Sequence, residues 1–386
     1  MDTQRDKAGR ENKPHIGIFG RCNSGKSSLL NFIVGADTAI VSPESGTTTD
    51  VVRKSYEILG FAPVVFIDTA GIDDVSALGQ KRIARTVEAM RQIDLALLVY
   101  REWGKPEERL LVQLREVRVP VIIVHNTAGE ETDATEINGD RVVSVNAAGS
   151  DPRQRDLLLE EIKRRLPENS YTAPSMFGGR VQAGDTVLLV CPIDSEAPAG
   201  RMILPQVQAI RELLDRHAVA VVVQPDGIGG VFAQGTEPVL VVTDSQVFPE
   251  VRAAVPPGTE VTSFSILLAA AKGDYSMYLE GLDKVDSLRD GDRILIAESC
   301  THQVSCEDIG RVKIPRWLEE HTGCRLRFYT VSGLAPLPAD LAEYALMVQC
   351  GACMVTRSQL RNRLRQAAEA GVPVTNYGML IRKIRK

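Results

Sequence analysis

The stretch that decides the fold of this chain is Gly20-Arg21-Cys22-Asn23-Ser24-Gly25-Lys26-Ser27. It matches the phosphate-loop pattern G-x-x-x-x-G-K-S, and it lies where that pattern requires, after the apolar residues 15–19 and before the helix-like residues 28–34. Glycines let successive backbone N–H groups point at phosphate oxygens, and the N-terminus of the following helix adds positive potential. A chance match in a glycine-rich chain is the alternative, and the strand–loop–helix context disfavours it. The sequence therefore predicts a nucleotide phosphate site in an α/β domain.

The side chains of this loop suit the chemistry of such a site. Lys26 supplies a cation to the β- and γ-phosphates, and Ser27 offers its hydroxyl to Mg²⁺. We expect the nucleotide to be held by Gly20, Asn23, Ser24, Gly25, Lys26, Ser27 and Ser28.

Two later segments fit the same site. Asp68-Thr69-Ala70-Gly71 follows another apolar run, where an acid can hold Mg²⁺ through water and a glycine N–H can sense the γ-phosphate. Residues 45–50 place threonines in a loop that can close on the metal. We expect residues 47–49 and 73–74 to rearrange when the γ-phosphate is lost. The residues expected to take part in hydrolysis are Lys26, Thr48, Asp68 and Gly71.

Length and composition bound the class of protein. The chain has 386 residues, of which 44% are hydrophobic and 25% charged, as in globular proteins of two or three domains. A formal net charge of -5 argues against a dedicated nucleic-acid binder. No apolar run approaches the roughly 18 residues of a membrane helix, and the polar start has no signal-peptide segment. We expect a cytoplasmic protein without membrane or nucleic-acid partners, whose cysteines stay reduced.

Strand-like and helix-like segments alternate along the chain, which favours parallel sheets covered on both faces. In the first part, strands are predicted at residues 15–19, 64–67, 95–100, 119–124 and 142–145, and helices at 81–92 and 107–117. Later strands are predicted at residues 186–190, 218–223, 239–243 and 293–297, with a helix at 204–216. Turn-rich stretches suggest boundaries near residues 170 and 270, and no internal repeat is apparent. The predicted domains are 1–170, 171–270 and 271–386, all of the α/β class.

The last part of the chain carries closely spaced cysteines, Cys300-Thr301-His302 and Cys350-Gly351-Ala352-Cys353. Both groups follow apolar runs, and the ends of parallel strands can meet at one edge of a sheet. Three thiolates can hold an iron–sulfur cluster or zinc. The alternatives are a redox pair at Cys350 and Cys353, or partly buried thiols without a ligand. Glu298 is expected to be solvated, and buried filler is expected for the remaining cysteines, Cys22, Cys191, Cys306 and Cys324.

The phosphate-site motifs resemble those of translation-factor-type GTPases, in the branch of bacterial ribosome-assembly and tRNA-modification GTPases. The resemblance implies a Ras-like fold and a K⁺ ion held near the phosphates with the help of Asn23. The family reads guanine with Asn-Lys-x-Asp, whereas this chain has Asn126-Thr127-Ala128-Gly129. Residues 144–147 loosely resemble the base-facing Ser-Ala-Lys loop of the family. We therefore expect GTP to contact Asn126 and Ala147, with reduced affinity or relaxed base selectivity.

The combination of this GTPase block with the C-terminal cysteines resembles the HydF family, the scaffold GTPases that mature [FeFe]-hydrogenase. The resemblance covers nearly the whole chain and includes residues 204–212, 243–247, 308–318 and 375–378. The cluster signature of the family is C-x-H, followed much later by H-C-x-x-C. Gln349 stands where the second histidine is expected.

This resemblance implies a [4Fe–4S] cluster on Cys300, Cys350 and Cys353, with His302 as candidate fourth ligand at an exchangeable iron. It implies a scaffold that hydrolyses GTP, receives a diiron precursor and delivers it to apo-[FeFe]-hydrogenase. Radical-SAM maturases are the implied partners, and residues 171–270 the implied homodimer contact. Two other classes of function stay open. One is a ribosome- or tRNA-directed GTPase with structural zinc, and the other is a redox protein built on Cys350 and Cys353.

Overall fold

In the computed structural model of the chain, the described residues are 13–35, 52–69, 89–129, 136–171, 175–193, 202–299 and 308–385. Their contacts divide the chain into two compact units, an N-terminal unit of residues 12–173 and a C-terminal unit of residues 174–386. The division lies a few residues after the predicted boundary at 170. The further division of the C-terminal unit near residue 270 stays a prediction.

The N-terminal unit is built on one mixed sheet. Its elements are β1 (His15–Phe19), α1 (Lys26–Val34), β2 (Val52–Ile58), β3 (Ala62–Asp68), β4 (Leu95–Tyr100), α2 (Lys105–Glu116), β5 (Val121–Asn126), β6 (Glu136–Ile137), β7 (Asp140–Val145), α3 (Pro152–Arg165) and α4 (Glu168–Tyr171). The strand order is β2-β3-β1-β4-β5-β7-β6. Strands β3, β1, β4, β5 and β7 are parallel to one another, and β2 and β6 are antiparallel to their neighbours.

The central strands read as apolar runs because both faces of the sheet are covered. Every residue of β4 is buried, and separate hydrophobic clusters lie on the two faces. The edge strand β2 was not predicted, because the polar run Arg53-Lys54-Ser55 hides its strand pattern. A parallel sheet with one antiparallel edge strand beside β3 and a phosphate loop after β1 is a Ras-like arrangement. This confirms the predicted fold class.

Helix boundaries follow local signals. Helix α2 begins at Lys105, two residues before the prediction, because Pro106 occupies its first turn and the Glu107 carboxylate accepts a hydrogen bond from the Gly104 N–H (3.1 Å). Residues 89–91 are helical, as the predicted helix 81–92 requires, whereas residues 81–88 lie outside the described residues.

The C-terminal unit contains two four-stranded sheets. The elements of the first half are β8 (Thr186–Val190), α5 (Leu204–Asp215), β9 (Val219–Val223), α6 (Ile228–Ala233), β10 (Leu240–Thr243), α7 (Phe248–Ala254), β11 (Val261–Ser263) and α8 (Phe264–Lys272). Those of the second half are α9 (Tyr275–Asp283), β12 (Arg293–Ala297), α10 (Ile314–Thr322), β13 (Arg327–Val331), β14 (Leu346–Gln349), α11 (Arg357–Glu369), β15 (Val374–Asn376) and α12 (Tyr377–Ile384). The strands predicted here agree with those observed to within one residue. Among all described helices, none combines the length and apolar character needed to cross a bilayer.

The two sheets of the C-terminal unit have the same topology. Their strand orders are β11-β10-β8-β9 and β15-β14-β12-β13, and all pairings are parallel. The backbone turns match as well, since Gly184 and Gly291 precede β8 and β12 by two residues and both have φ 87°. After these strands, the Cys191 N–H donates to Val223 O and the Glu298 N–H donates to Val331 O, each at 2.8 Å.

This duplication corrects the expectation that the chain has no internal repeat. A faint trace of it exists in the sequence, because Val261-Thr262-Ser263-Phe264 and Val374-Thr375-Asn376-Tyr377 both end a strand and open a helix. Ser263 and Asn376 cap those helices, each accepting a backbone N–H at the helix start. The equivalence places Asp244, directly after β10, at the position of Cys350, directly after β14.

The first residue of β1 gives the N-terminal unit a pH dependence. Burial and the nearby Arg53 cation lower the pKa of His15 from 6.5 to about 4. The unfolded chain then takes up the proton first as the pH falls, so the free energy of unfolding decreases between about pH 6.5 and pH 4, by about 2–3 kcal/mol. Calorimetry at pH 7 and pH 4.5 should show this for the transition that nucleotide stabilises. His15→Gln should lose less on acidification, and an equal loss in both proteins would contradict the assignment.

Candidate functional site

The phosphate loop requires glycine at two positions. Gly20 has φ 150° and Gly25 has φ 95°. A Cβ atom on Gly20 would lie 2.2 Å from the Val99 carbonyl oxygen, and one on Gly25 would lie 2.0 Å from Asn126 Nδ2. The loop therefore passes too close to β4 and to the residue ending β5 for any side chain at these positions.

Lys26 is held inside the loop. Its ammonium donates to Arg21 O at 2.6 Å and to Gly20 O at 3.2 Å, and the residue is only 8% exposed. The loop backbone thus curls around a fixed cation at the start of α1. A nucleotide phosphate at this position would meet the cation and the first N–H groups of the helix together.

Ser27, in the first turn of α1, and Asp68, the last residue of β3, lie side by side as the predicted metal site requires. The Ser27 hydroxyl donates to Asp68 Oδ2 at 2.7 Å. Within the described residues, the other carboxylate oxygen, Asp68 Oδ1, and the hydroxyl oxygen of Ser24 are buried without a hydrogen-bond partner. Buried polar atoms normally have partners, so these two fit a site completed by Mg²⁺ and a phosphate.

An ion pair that the sequence did not reveal braces the loop from outside. Arg21 Nε lies 2.6 Å from Glu107 Oε1, and Glu107 is 1% exposed. The same guanidinium donates to the carbonyl of Glu102 at 2.5 Å. Arg21 occupies a variable position of the phosphate-loop pattern, and its partner lies on α2, so no local motif indicates the contact.

Asn126 joins three parts of the nucleotide site. Its Nδ2 donates to Ser24 O at 3.0 Å, and its Oδ1 accepts from the Ala147 N–H at 3.2 Å. Both predicted base-side residues, Asn126 and Ala147, therefore lie beside the phosphate loop. The contacts show that Asn126 fixes the loop itself.

The position where the family carries its guanine-reading aspartate has no side chain. Gly129 has φ 99°, and a Cβ on it would point toward Asn146 Nδ2, 3.5 Å away. The Asn146 Oδ1 atom accepts from the Ala148 N–H at 3.2 Å, so the amide nitrogen is the atom turned toward Gly129. Glu130, which follows directly, lies outside the described residues.

This arrangement predicts relaxed base selectivity. We expect kcat/KM for GTP to exceed that for ITP, which lacks the 2-amino group, by less than about tenfold, because no carboxylate at residue 129 accepts that donor. Steady-state hydrolysis of GTP, ITP and ATP measures the ratios. A preference for GTP over ITP above a hundredfold would mean that another acceptor, such as Glu130, reaches the base.

The other residues predicted for this site fall into two groups. Asn23 and Ser28 are exposed at the loop and at the start of α1, and Asn23 has φ 60°. Binding of K⁺ by Asn23 stays a prediction. Thr48 and Gly71, predicted to act in hydrolysis, lie outside the described residues, as do the segments 47–49 and 73–74.

The cysteine site lies at the carboxyl edge of the second sheet of the C-terminal unit. Cys350 directly follows β14, and its sulfur accepts the N–H groups of Ser299 (3.1 Å) and Ala352 (3.4 Å). Cys300 and His302 lie outside the described residues. The chain nevertheless reaches the Cys350 sulfur at Ser299, the residue immediately before Cys300.

Two buried polar atoms beside Cys350 have no partner within the described residues, Gln349 Oε1 and the Tyr278 hydroxyl. The Gln349 amide nitrogen donates to Ser299 Oγ at 3.1 Å. Burial, with a smaller contribution from Cys350, raises the pKa of Tyr278. A sulfur that already accepts N–H groups, next to unpaired buried polar atoms, fits a site that holds a further group. No three His, Cys, Asp or Glu side chains converge in the described part of the chain.

Glu298, expected to be solvated, is instead 2% exposed. Its Oε2 atom accepts from Arg311 Nη2 and from the Ser332 hydroxyl, both at 3.0 Å. The ion pair between Glu298 and Arg311 thus joins the chain before residue 299 to the chain after residue 308. No sequence pattern indicates this burial, because a carboxylate beside a cysteine is compatible with several environments.

The cysteines outside the proposed ligand set differ from expectation. Cys22 is exposed in the phosphate loop, which contradicts a role as buried filler. Cys191 and Cys324 are half-buried. Cys191 packs on the hydrophobic cluster to which α5 contributes, and the Cys324 thiol donates to Leu288 O at 3.4 Å. Burial, with a smaller contribution from Asp244, raises the pKa of the Cys191 thiol to about 12. Cys306 lies outside the described residues.

Comparison with protein families gives three matches that follow one another along the chain. Residues 15–127 match the model described as 50S ribosome-binding GTPase. Residues 176–273 match the hydrogen maturase F dimerization domain, and residues 276–386 match the hydrogen maturase F tetramerization domain. The two hydrogen maturase F models together cover more than half of the chain.

Individual relatives resemble only part of the chain. The tRNA modification GTPase MnmE of Nitrosomonas europaea is 38% identical over 148 residues, 34% of this chain and 33% of that protein. GTPase Era of Caldicellulosiruptor saccharolyticus is 29% identical over 168 residues, 40% of this chain and 55% of that protein. A crystal structure of Era with MgGDPNP and 16S ribosomal RNA shares 25% identity, covering 41% of this chain and 58% of that one, with a TM-score of 0.33. The chain thus spans between a third and about half of the length of these curated relatives.

Proposed function

Because this chain belongs to the hydrogen maturase F family, we propose that it is a scaffold that carries a [4Fe–4S] cluster and a diiron precursor during hydrogenase maturation. The family membership rests on the two domain models that match residues 176–273 and 276–386. Together with the GTPase match, these two models support a role for the protein in hydrogenase maturation. The cluster, its cargo and its delivery are the proposed part.

The N-terminal unit is a GTPase domain, which confirms the prediction of an enzyme that hydrolyses GTP with Mg²⁺. Lys26 would contact the β- and γ-phosphates, and Ser27 and Asp68 would hold the metal ion, which neutralises phosphate charge when bound. Asn126 keeps the loop in place during this reaction through its contact with Ser24 O. Hydrolysis acts in the proposed scheme as a switch on the scaffold.

The observation that carries the cluster proposal is the contact between Ser299 N and the Cys350 sulfur. Ser299 directly precedes Cys300 in the sequence, and Cys350 begins the C-x-x-C loop, so this contact supports a site shared by the two cysteine groups. We propose that Cys300, Cys350 and Cys353 ligate three irons and leave the fourth exchangeable, with His302 as candidate ligand there. An open iron site is what a carrier needs in order to attach and release a second metal unit.

Self-association belongs to the proposed scheme. The matched domains are named for dimerization and tetramerization, which supports an oligomer and goes beyond the predicted homodimer. The partners that we propose are the radical-SAM maturases that build the precursor and apo-[FeFe]-hydrogenase, which receives it.

Anaerobic reconstitution tests the proposal. The purified full chain is incubated with iron and sulfide, and iron, acid-labile sulfide, absorption and EPR spectra are recorded. A cluster with four irons per chain supports the scaffold. A colourless protein that retains stoichiometric zinc would support the rival function, a ribosome- or tRNA-directed GTPase with a structural zinc site.

A further inference from the structure

We propose that Lys272 positions the C-x-x-C loop and sets the electrostatic environment of the metal site. This inference rests on the proposed cluster. Lys272 lies at the end of α8, 78 positions before Cys350 in the chain, and neither a cysteine pattern nor a phosphate-site motif points to it.

Lys272 is a buried cation in an otherwise apolar helix. It is 2% exposed, and its ammonium donates to the carbonyl oxygens of Ala352 (3.2 Å), Val355 (3.3 Å) and Cys353 (3.4 Å). The other buried residues of α8 are Phe264, Ile266, Leu267, Leu268, Ala269 and Ala271. A charged side chain is rarely buried unless it is hydrogen-bonded, and three carbonyls match the three donors of an ammonium group.

The contacts fix the shape of the loop between and after the two cysteines. Ala352 has φ 54°, a left-handed conformation that a non-glycine residue rarely adopts, so the loop needs support from its surroundings. The loop also runs close to α8, because a Cβ atom on Gly351 would lie 3.5 Å from Ser265 Oγ and 3.7 Å from Leu268 Cδ1. The ammonium of Lys272 supports this conformation by binding the carbonyl of Ala352 itself.

The same contacts place a positive charge beside the ligands. Because Lys272 binds the carbonyl of Cys353, its charge lies within a few bonds of a proposed thiolate ligand, in a region shielded from water. Electrostatic interactions are stronger there than at the surface. A fixed cation stabilises the reduced, more negative cluster over the oxidised one. Lys272 should therefore raise the reduction potential of the cluster and slow the loss of iron.

The test compares Lys272→Met and Lys272→Gln with Lys284→Met, which replaces an exposed lysine at the end of α9. The reconstituted full-length proteins are titrated potentiometrically with EPR detection, and iron release to a chelator is timed. We expect both Lys272 variants to have a more negative midpoint potential, and Lys272→Met to lose iron about tenfold faster. Lys284→Met should behave as wild type.

The glutamine variant separates charge from folding. It keeps hydrogen-bond donors for the loop carbonyls, so it should fold and assemble a cluster even if the methionine variant does not. A wild-type potential in Lys272→Gln, with a normal circular-dichroism spectrum, would overturn the electrostatic role. Failure of the wild-type protein itself to form any cluster would overturn the proposed function, on which this inference depends.

Discussion

Replacing Cys350 by alanine is expected to abolish cluster binding and leave GTP hydrolysis at the wild-type rate. The Cys350 sulfur is the atom on which the Ser299 and Ala352 N–H groups converge, so its loss removes the central ligand of the site. Two remaining thiolates cannot hold a four-iron cluster that needs at least three. Iron and sulfide content after anaerobic reconstitution measures the first outcome, and GTP turnover the second.

Cys324→Ala is the matched control for this experiment. Cys324 is also half-buried, but it precedes β13, whereas Cys350 follows β14. Because these strands run in the same direction within one parallel sheet, one thiol lies near the amino ends of the strands and the other near their carboxyl ends. The control should retain a full complement of iron. A Cys350→Ala protein with wild-type iron content would remove Cys350 from the ligand set.

Replacing Lys26 by alanine is expected to lower kcat/KM for GTP by at least about 10²–10³-fold, the effect of losing one preorganised donor at a reacting group. The substitution also removes the bonds to Gly20 O and Arg21 O that keep the loop curled. Nucleotide affinity, measured by titration calorimetry with GDP, should fall as well.

The Lys26→Ala protein should still assemble its cluster from iron and sulfide, because Lys26 and Cys350 belong to different compact units. Lys54→Ala serves as control, since Lys54 also lies in the N-terminal unit but donates to Asn31 Oδ1. This control should keep GTP turnover. Loss of cluster assembly in Lys26→Ala would show that the two sites are not separable.

Prediction from the sequence succeeded where the determinants of a feature are contiguous. The phosphate loop is one such feature, because its glycines, its cation and the following helix occupy neighbouring positions. The position of Cys350 directly after a strand is another, since the apolar run of β14 is evident.

Contacts between distant residues were not predictable in this way. The partner of Arg21 lies 86 residues away, and the first carbonyl bound by Lys272 lies 80 residues away. A single sequence contains no information on such pairings beyond burial patterns, and a lysine at the end of an apolar helix looks like an ordinary helix terminus. The edge strand β2 was missed because three consecutive polar residues, Arg53-Lys54-Ser55, interrupt the alternation that would indicate a strand.

The repeated sheet topology in the C-terminal unit means that the architecture of the sheet does not depend on the residues that follow its strands. Both copies bury the same strands around their own cores, while the residues that follow those strands differ. Where one copy has Cys191 and Asp244, the other has Glu298 and Cys350. The positions after the strands thus carry different side chains on the same sheet topology. Each copy carries one cysteine among these positions, so the sheet topology itself does not decide which strand is followed by the thiol.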